Sequence, residues 1–263
     1  MAAIVLLAAL ALGPFLADSS STPGAPTYSA DSIANSAAGI AGFYAPNTFL
    51  SIYGQNLSYV TRAIGPDDIS AGMLPTVLPG TGVRVLINQI SADIWYVSPT
   101  LVNVLVPLVL IAGPATVQLE VDGLAGPAVT ITLGATAPAF FQADATTILA
   151  VHLDGSLVAV SAPAHAGEVI VLFAGGMGPT LPAQISNTLA PAAAQISAIS
   201  DFQVLLNGTT VSASRVLYAG AAPGFAGLYQ INLLLPGDAP SNPEIRIAVA
   251  DRMSPAGRIL PLQ

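Results

Sequence analysis

The two halves of this chain carry the same succession of strand-length apolar runs, and this internal repeat limits the possible folds more than any other feature. Ala45-Pro46-Asn47-Thr48-Phe49-Leu50-Ser51-Ile52-Tyr53-Gly54 lies over His165-Ala166-Gly167-Glu168-Val169-Ile170-Val171-Leu172-Phe173-Ala174 at an offset of 120 residues. Val85-Leu86-Ile87-Asn88 matches Val204-Leu205-Leu206-Asn207 at 119, and Val102 to Pro107 matches Ile231 to Pro236 at 129. A unit present twice in 263 residues is the size of one ordinary domain per copy. The longer second offset is assigned to extra residues in Tyr218 to Gly227, because loops absorb insertions at little cost.

Each copy reads as a set of short strands. In the first, Phe49 to Tyr53, Val83 to Ile87, Ala92 to Val97, Val102 to Val106, Thr116 to Val121 and Val129 to Leu133 are rich in Val, Ile, Leu and Thr. In the second, Val169 to Phe173, Phe202 to Leu206, Ser214 to Tyr218, Tyr229 to Leu235 and Glu244 to Ala250 follow in the same order. Twenty-four glycines and 22 prolines are spread between these runs, which excludes long helices and predicts all-β sandwiches. Only Ala183 to Ile199 reads as a short helix or a loop. The boundary between copies is placed near Ala135 to Phe140, where Ala137-Pro138 interrupts the strand pattern. A short, proline-stiffened linker there predicts a fixed, elongated pair of domains.

Charge excludes whole classes of partner. All six basic residues are isolated arginines and the net charge is -8, so the chain repels polyphosphate and no nucleic-acid partner is expected. With no cysteine there is no disulfide, thiolate metal site or thiol nucleophile. Met1 to Leu12 has the length of a signal-peptide core and is too short to span a bilayer; the Ser/Thr/Pro/Gly stretch Ser19 to Pro26 follows it. Export to the cell surface or beyond is therefore expected, with no stable transmembrane span.

Candidate chemistry is sparse. His152 and His165 are the only histidines, so any serine triad or histidine metal site must use one of them, and neither sits in a motif. Asp154-Gly155 predicts a two-residue hairpin turn with His152 on the strand beside it, and both histidines are read as structural. Gly175-Gly176-Met177-Gly178 lacks the Lys and Ser/Thr of a phosphate loop and is read as a bulge or tight turn. Asp67-Asp68, with Asp93, Asp122 or Asp144, shows no calcium-loop spacing and is read as a solvated loop. Trp95-Tyr96 and Phe225 with Tyr229 are the aromatics that a sugar platform would use, but Trp95 is expected in the sandwich core. Asn56-Leu57-Ser58 and Asn207-Gly208-Thr209 have the form of glycosylation acceptors, and their asparagines are assigned to turns. No catalytic, metal or cofactor-binding residue is nominated.

Several segments carry a family resemblance: Ile33-Ala34-Asn35-Ser36-Ala37-Ala38, Pro46 through Gly54-Gln55-Asn56-Leu57, Tyr96-Val97-Ser98-Pro99 with Asn103 and Pro107, Asp154-Gly155-Ser156-Leu157, Pro163 through Gly167-Glu168, and Ala222-Pro223-Gly224-Phe225-Ala226-Gly227-Leu228-Tyr229-Gln230-Ile231-Asn232. From Ile33 onward the chain resembles the secreted C-terminal domain family abundant in Solibacter and other acidobacterial proteins. That resemblance implies tandem immunoglobulin-like domains of the IPT/TIG branch and supplies no catalytic residues. The chain is expected to comprise an apolar leader or retained N-terminal segment over 1–17, a linker or extended strand over 18–31, a first sandwich over 32–136 and a second over 137–263.

A chain with 8% charged residues and no lysine to blunt its sheet edges risks edge-to-edge pairing as a monomer. The function expected is thus non-enzymatic and structural, a protein whose domains associate with copies of themselves or with other surface proteins, as a filament, pilus-like or sheath subunit; in one version the apolar N-terminal segment, or the stretch Ser19 to Ile33, adds a strand to a neighbour. The alternative is a secreted binding or adhesion module for polysaccharide or a partner protein.

Overall fold

The computed structural model describes residues 24–263. The leader expected over 1–17 and the first part of the linker lie outside these residues.

The first domain packs two antiparallel sheets face to face. One, in the order β1-β2-β7-β6-β3, is formed by β1 (Ile33–Asn35), β2 (Phe49–Tyr53), β3 (Arg62–Ala63), β6 (Asp93–Val97) and β7 (Leu101–Leu105). The other, in the order β10-β8-β4-β5, is formed by β4 (Val83–Ile87), β5 (Ile90–Ser91), β8 (Gly113–Val121) and β10 (Val129–Leu133), with β9 (Leu124–Ala125) also paired to β8. Alternation drives the packing. Along β8, Ala115, Val117, Leu119 and Val121 are buried while Thr116, Gln118 and Glu120 turn outward. They meet Leu50, Ile52, Ile94, Val102 and Val104 of the facing sheet in one core.

The second domain repeats the plan. Its larger sheet, ordered β11-β13-β19-β18-β15-β14, uses β11 (Ala139–Phe140), β12 (Ala150–His152, also on β13), β13 (Val169–Gly175), β14 (Thr180–Leu181), β15 (Ala194–Ile196), β18 (Val216–Ala221) and β19 (Tyr229–Leu234). Its smaller sheet, ordered β17-β16-β20-β21, uses β16 (Phe202–Leu206), β17 (Thr209–Thr210), β20 (Ile245–Val249) and β21 (Arg252–Met253). Ile170, Leu172, Ile231 and Leu233 face Val204, Leu206, Ile245 and Ile247 across its core.

The repeat extends to register. Phe49 opposes Leu105 in the first copy and Val169 opposes Leu234 in the second, and the equivalence holds along both strand pairs. A parallel bridge joins Tyr44 to Leu133, and its counterpart joins Ala164 to Leu262. Each copy also uses one asparagine to close the turn between its smaller-sheet strands. Asn88, at φ 49°, donates its backbone N–H to Thr116 O and accepts the Thr116 N–H on Oδ1; Asn207, at φ 47°, does the same with Glu244. Asparagine tolerates this left-handed conformation and its short side chain reaches back to the backbone, so sequence and turn geometry agree.

One expectation is revised and one open alternative is resolved. The extra length of the second copy has two sources: besides the Ala222 to Leu228 loop, a 3-10 turn at Ala213–Arg215 adds three residues between Val211 and Val216 that have no counterpart between Ala92 and Ile94. Ala183 to Ile199 is a loop carrying β15, with a 3-10 turn, Ile199–Asp201, at its end.

That loop docks the domains together. Its Asn187 and Leu189 pair with the first-domain loop through Leu74 N to Asn187 O at 3.0 Å and Leu189 N to Gly72 O at 2.9 Å. Beside this ladder an apolar cluster takes Phe49, Leu74, Trp95 and Leu105 from one domain and Phe141, Ala222, Ala226 and Leu228 from the other. At roughly 1.5–3 kcal/mol per fully buried large side chain, such a cluster suffices to hold two domains in one arrangement. Trp95 thus belongs to the domain interface and not to the sandwich core, its ring edge-on to Phe49 at 5.0 Å between centroids.

Residues 24–31 run along their own domain. Thr27 forms a bridge with Gln55, and the Tyr28 hydroxyl donates to Pro127 O at 2.7 Å and accepts from Leu119 N–H at 2.7 Å.

Candidate functional site

The titratable side chains that approach one another most closely sit at the start of the second domain. β12 turns back through Leu153-Asp154-Gly155 to Ser156, whose carbonyl accepts the His152 N–H at 2.9 Å. The turn has three residues where two were expected. Asp154 keeps negative φ and accepts Ser156 N–H and Oγ–H, while Gly155 alone takes positive φ at 86°.

This turn places His152 against Glu168. The imidazole Nδ1 lies 2.5 Å from Glu168 Oε1 and its Nε2 3.2 Å from Ala162 O, both within hydrogen-bond reach, and Glu168 Oε2 accepts the His165 N–H at 2.8 Å. The Glu168 hydrogen bond raises the His152 pKa, with the Ala162 carbonyl assisting against a smaller effect of burial. Burial would raise Glu168, but His152 and the His165 N–H together hold it below the usual carboxylate range. A shallow concavity of about 490 Å³ is bounded by His152, Leu153, Asp154, Ser156, His165 and Glu168.

The cluster links β12 to the segment from Ala162 to Glu168 by hydrogen bonds. The first copy has a counterpart to this link. His152 opposes Ile170 as Asn35 opposes Leu50, and Asn35 Nδ2 donates to Phe43 O at 2.8 Å where His152 Nε2 reaches Ala162 O. One copy ties this connection with an amide and the other with an imidazole.

The other sequence candidates are scattered. Asp68 caps its own 3-10 turn through Gly65 N–H at 2.8 Å and pairs with Arg62 at 2.6 Å; Asp144 accepts the N–H groups of Thr146 and Thr147, which lower its pKa to about 2. Asp93 is buried at the domain interface. Among the described residues no three His, Asp or Glu side chains assemble into a metal-binding group. Gly176, at φ 69°, brings its backbone against the linker, where Ala137 N–H donates to Gly176 O at 2.8 Å; Gly178, at φ 85°, also lies beside it. These glycines serve close approach of the domains. The aromatic candidates do not form a platform: Trp95 is covered, Phe225 packs into the interface, and Tyr229 is buried with its hydroxyl donating to Gly178 O at 2.5 Å and accepting from Asn47 Nδ2 at 3.3 Å. Both sequon asparagines occupy positive-φ turns, Asn56 at 58° and Asn207 at 47°.

Asp93 has an unusual environment. Burial pushes its carboxyl up to about 7. Oriented to suit its neighbours, the Asn187 amide donates to Leu74 O at 2.9 Å and to Asp93 Oδ1.

One concavity was missed by sequence reasoning. About 400 Å³ in volume, it opens between the β16–β17 turn, the 3-10 turn ending at Arg215 and the Pro236 to Pro240 segment. The available signal was the substitution of Ala239 for Leu110 at equivalent positions of the two copies.

Two immunoglobulin-like β-sandwiches in tandem define the class of this protein, as an all-β fold with a register-level internal repeat. Among solved structures the chain is similar to SGBP-B of a Bacteroides ovatus mixed-linkage glucan utilization locus, in complex with a mixed-linkage heptasaccharide, at 11% identity and TM-score 0.30, covering 84% of this chain and 40% of that one. It is also similar to the I9-I11 tandem of titin (9% identity, TM-score 0.23, 90% and 62% covered) and to the N-terminal Ig1-2 module of the Drosophila receptor protein tyrosine phosphatase DLAR (11%, 0.18, 91% and 96%). The chain thus spans less than half the length of the first of these. No family model matches the chain, and no curated protein matches it.

Proposed function

We propose that this protein is a non-catalytic binding module of the cell exterior, in which two immunoglobulin-like domains are locked into one frame that presents the turns of the second domain. The observation that carries this reading is the interdomain lock, a buried apolar cluster with a backbone ladder and the Asn47–Tyr229 bond beside it. A locked pair positions its exposed loops as a rigid scaffold does, and functional residues on such scaffolds sit in loops. The saturated bonding of His152 supports a role outside catalysis. Export rests on the apolar run Met1 to Leu12, and the acidobacterial secreted-domain resemblance points the same way. Among the described residues no helix is long and apolar enough to cross a membrane.

The test pairs light scattering after gel filtration with retention on insoluble polysaccharides and on a surface-protein extract. A monodisperse monomer retained on one of these matrices, and retained equally after His152→Asn, supports the reading. Retention that needs a free His152 imidazole, or concentration-dependent polymers without retention, overturns it.

Self-association as a filament or sheath subunit is the second reading. It is favoured by large apolar side chains left in solvent, Val160 at 84%, Ile111 at 83% and Leu153 at 70% exposure, on a chain with few charges. The pairing of Thr27 and Tyr28 within their own domain weighs against donation of that stretch to a neighbour. Negative-stain microscopy of the native protein separates the two readings, since only the second produces ordered polymers.

A further inference from the structure

The two copies diverge most informatively at the turn that follows β7 in the first and β19 in the second. Pro107-Leu108-Val109-Leu110 and Pro236-Gly237-Asp238-Ala239 close with the same bond, Leu110 N–H to Pro107 O at 3.2 Å and Ala239 N–H to Pro236 O at 3.3 Å. In the first domain Leu110 packs on the core. In the second, the smaller Ala239 stands in that place, packed on the core and on the lining of the 400 Å³ concavity. The three-residue insertion nearby ends in Arg215, which also lines that concavity, as does Asp238 in place of the apolar Val109. One repeat has filled this corner with hydrocarbon; the other has lined it with polar groups.

The lining defines what could enter. Arg215 Nη1 donates to Leu235 O at 3.0 Å, which orients the guanidinium and leaves its remaining donors for a ligand. Among the described residues no ion pair joins Arg215 to Asp238. Thr209, Thr210 and Asn207 add exposed hydroxyl and amide groups, and proline rings supply apolar surface. A cation is opposed by Arg215, and an anion by Asp238 and the net charge of -8. Donors and acceptors lining one concavity, their charges balancing, match vicinal hydroxyls, each of which both donates and accepts, while sugar C–H faces suit proline rings. The volume lies in the lower part of the roughly 300–1,000 Å³ range of small-molecule sites.

We propose that this cavity binds a neutral saccharide of one or two rings, held between Arg215 and Asp238. The proposal rests on the binding-module reading and gives it a ligand class and a place.

The experiment is a 15N–1H NMR titration of the full chain with cellobiose, xylobiose, maltose and mannobiose, repeated on Ala239→Leu, which restores the residue of the first copy, and on Arg215→Ala. Saturable shifts confined to the amides of Asn207 to Ser212 and Gly237 to Ala239 with one of these sugars are expected. Both variants should weaken binding about tenfold or more while keeping the native spectrum elsewhere. Shifts at other surfaces, with both variants binding as the native chain does, place the sugar elsewhere; the cavity proposal then fails and the binding-module reading stands. Absence of saturable shifts with all four sugars also overturns the cavity proposal. Polymerisation in the same samples instead defeats the binding-module reading, so the two failures are distinguishable.

Discussion

Replacing Asp93 with asparagine should make the protein more stable at alkaline pH and remove much of its pH dependence. Asp93 begins β6 with 4% of its surface exposed, and burial raises its carboxyl from 3.8 to about 7. The packed segments Gly72 to Pro75, Gln184 to Leu189 and Leu101 to Leu105 contain no titratable or charged residue, so nothing cationic compensates the carboxylate. Below about pH 4 the acid is neutral in both folded and unfolded chains. Between 4 and 7 the folded chain holds a proton that the unfolded chain has released, so stability falls as pH rises through that window and levels off above it. Three pKa units at about 1.36 kcal/mol each set an upper limit of about 4 kcal/mol, and the Asn187 amide, by donating to the carboxylate, reduces it to about 1–2.5. Asparagine has nearly the same shape and no charge. At pH 8 Asp93→Asn should therefore melt higher than the native chain by about 2–10 °C, and at pH 4 the two should nearly coincide. Calorimetry of both proteins at the two pH values cancels the contributions of the other acids. A melting difference that does not change with pH, or an Asp93 carboxyl titrating near 4 by NMR, refutes the reasoning.

Three other outcomes follow from the geometry. His152, raised by Glu168, contributes stability that is complete below the ordinary histidine value of 6.5 and lost as pH rises through its higher folded value; His152→Asn, the residue of the first copy, should abolish that alkaline loss of about 1 kcal/mol in chemical denaturation. Gly176→Ala forces a side chain into positive φ against the Ala137 carbonyl and should cost about 2 kcal/mol or more by urea unfolding, whereas the same change at the uncrowded Gly237 should cost under about 1. Trp95→Ala empties the interface cluster and should cost about 3–5 kcal/mol; calorimetry should then resolve two transitions in place of one, and a single unshifted transition would show that the cluster does not couple the domains.

Most of the longer strands and several of the turns between them were legible in the chain because their signals are short-range, whereas short strands such as β1 and β15 were not. Alternation in Thr116 to Val121, left-handed asparagines at 88 and 207 and the offset between halves each reflect a few neighbouring residues, and the sheets follow them. The role of His152 was legible only as the absence of a motif. Its partner Glu168 is 16 residues away, and the pairing depends on strand register as well as on sequence. Trp95 was misplaced for a related reason: an apolar side chain in a strand looks the same whether it buries against its own facing sheet or against another domain. Asp93 gave no sign of its burial, since one acid at the head of a strand ordinarily faces water.

What the sequence determined by itself is the repeated all-β unit, a chain without thiol chemistry, and a charge balance unfavourable to nucleic acid. Only the tertiary structure decided how the two units meet, which polar groups that meeting buries, and where the second copy is hollow. Strand period and turn type are set by steric preferences over a few residues, so they can be read locally. A cavity or an interface is set by the volumes of side chains far apart in the chain: Ala239 became informative only once its turn lay over that of Leu110, and Arg215 only once the fold placed it beside that space.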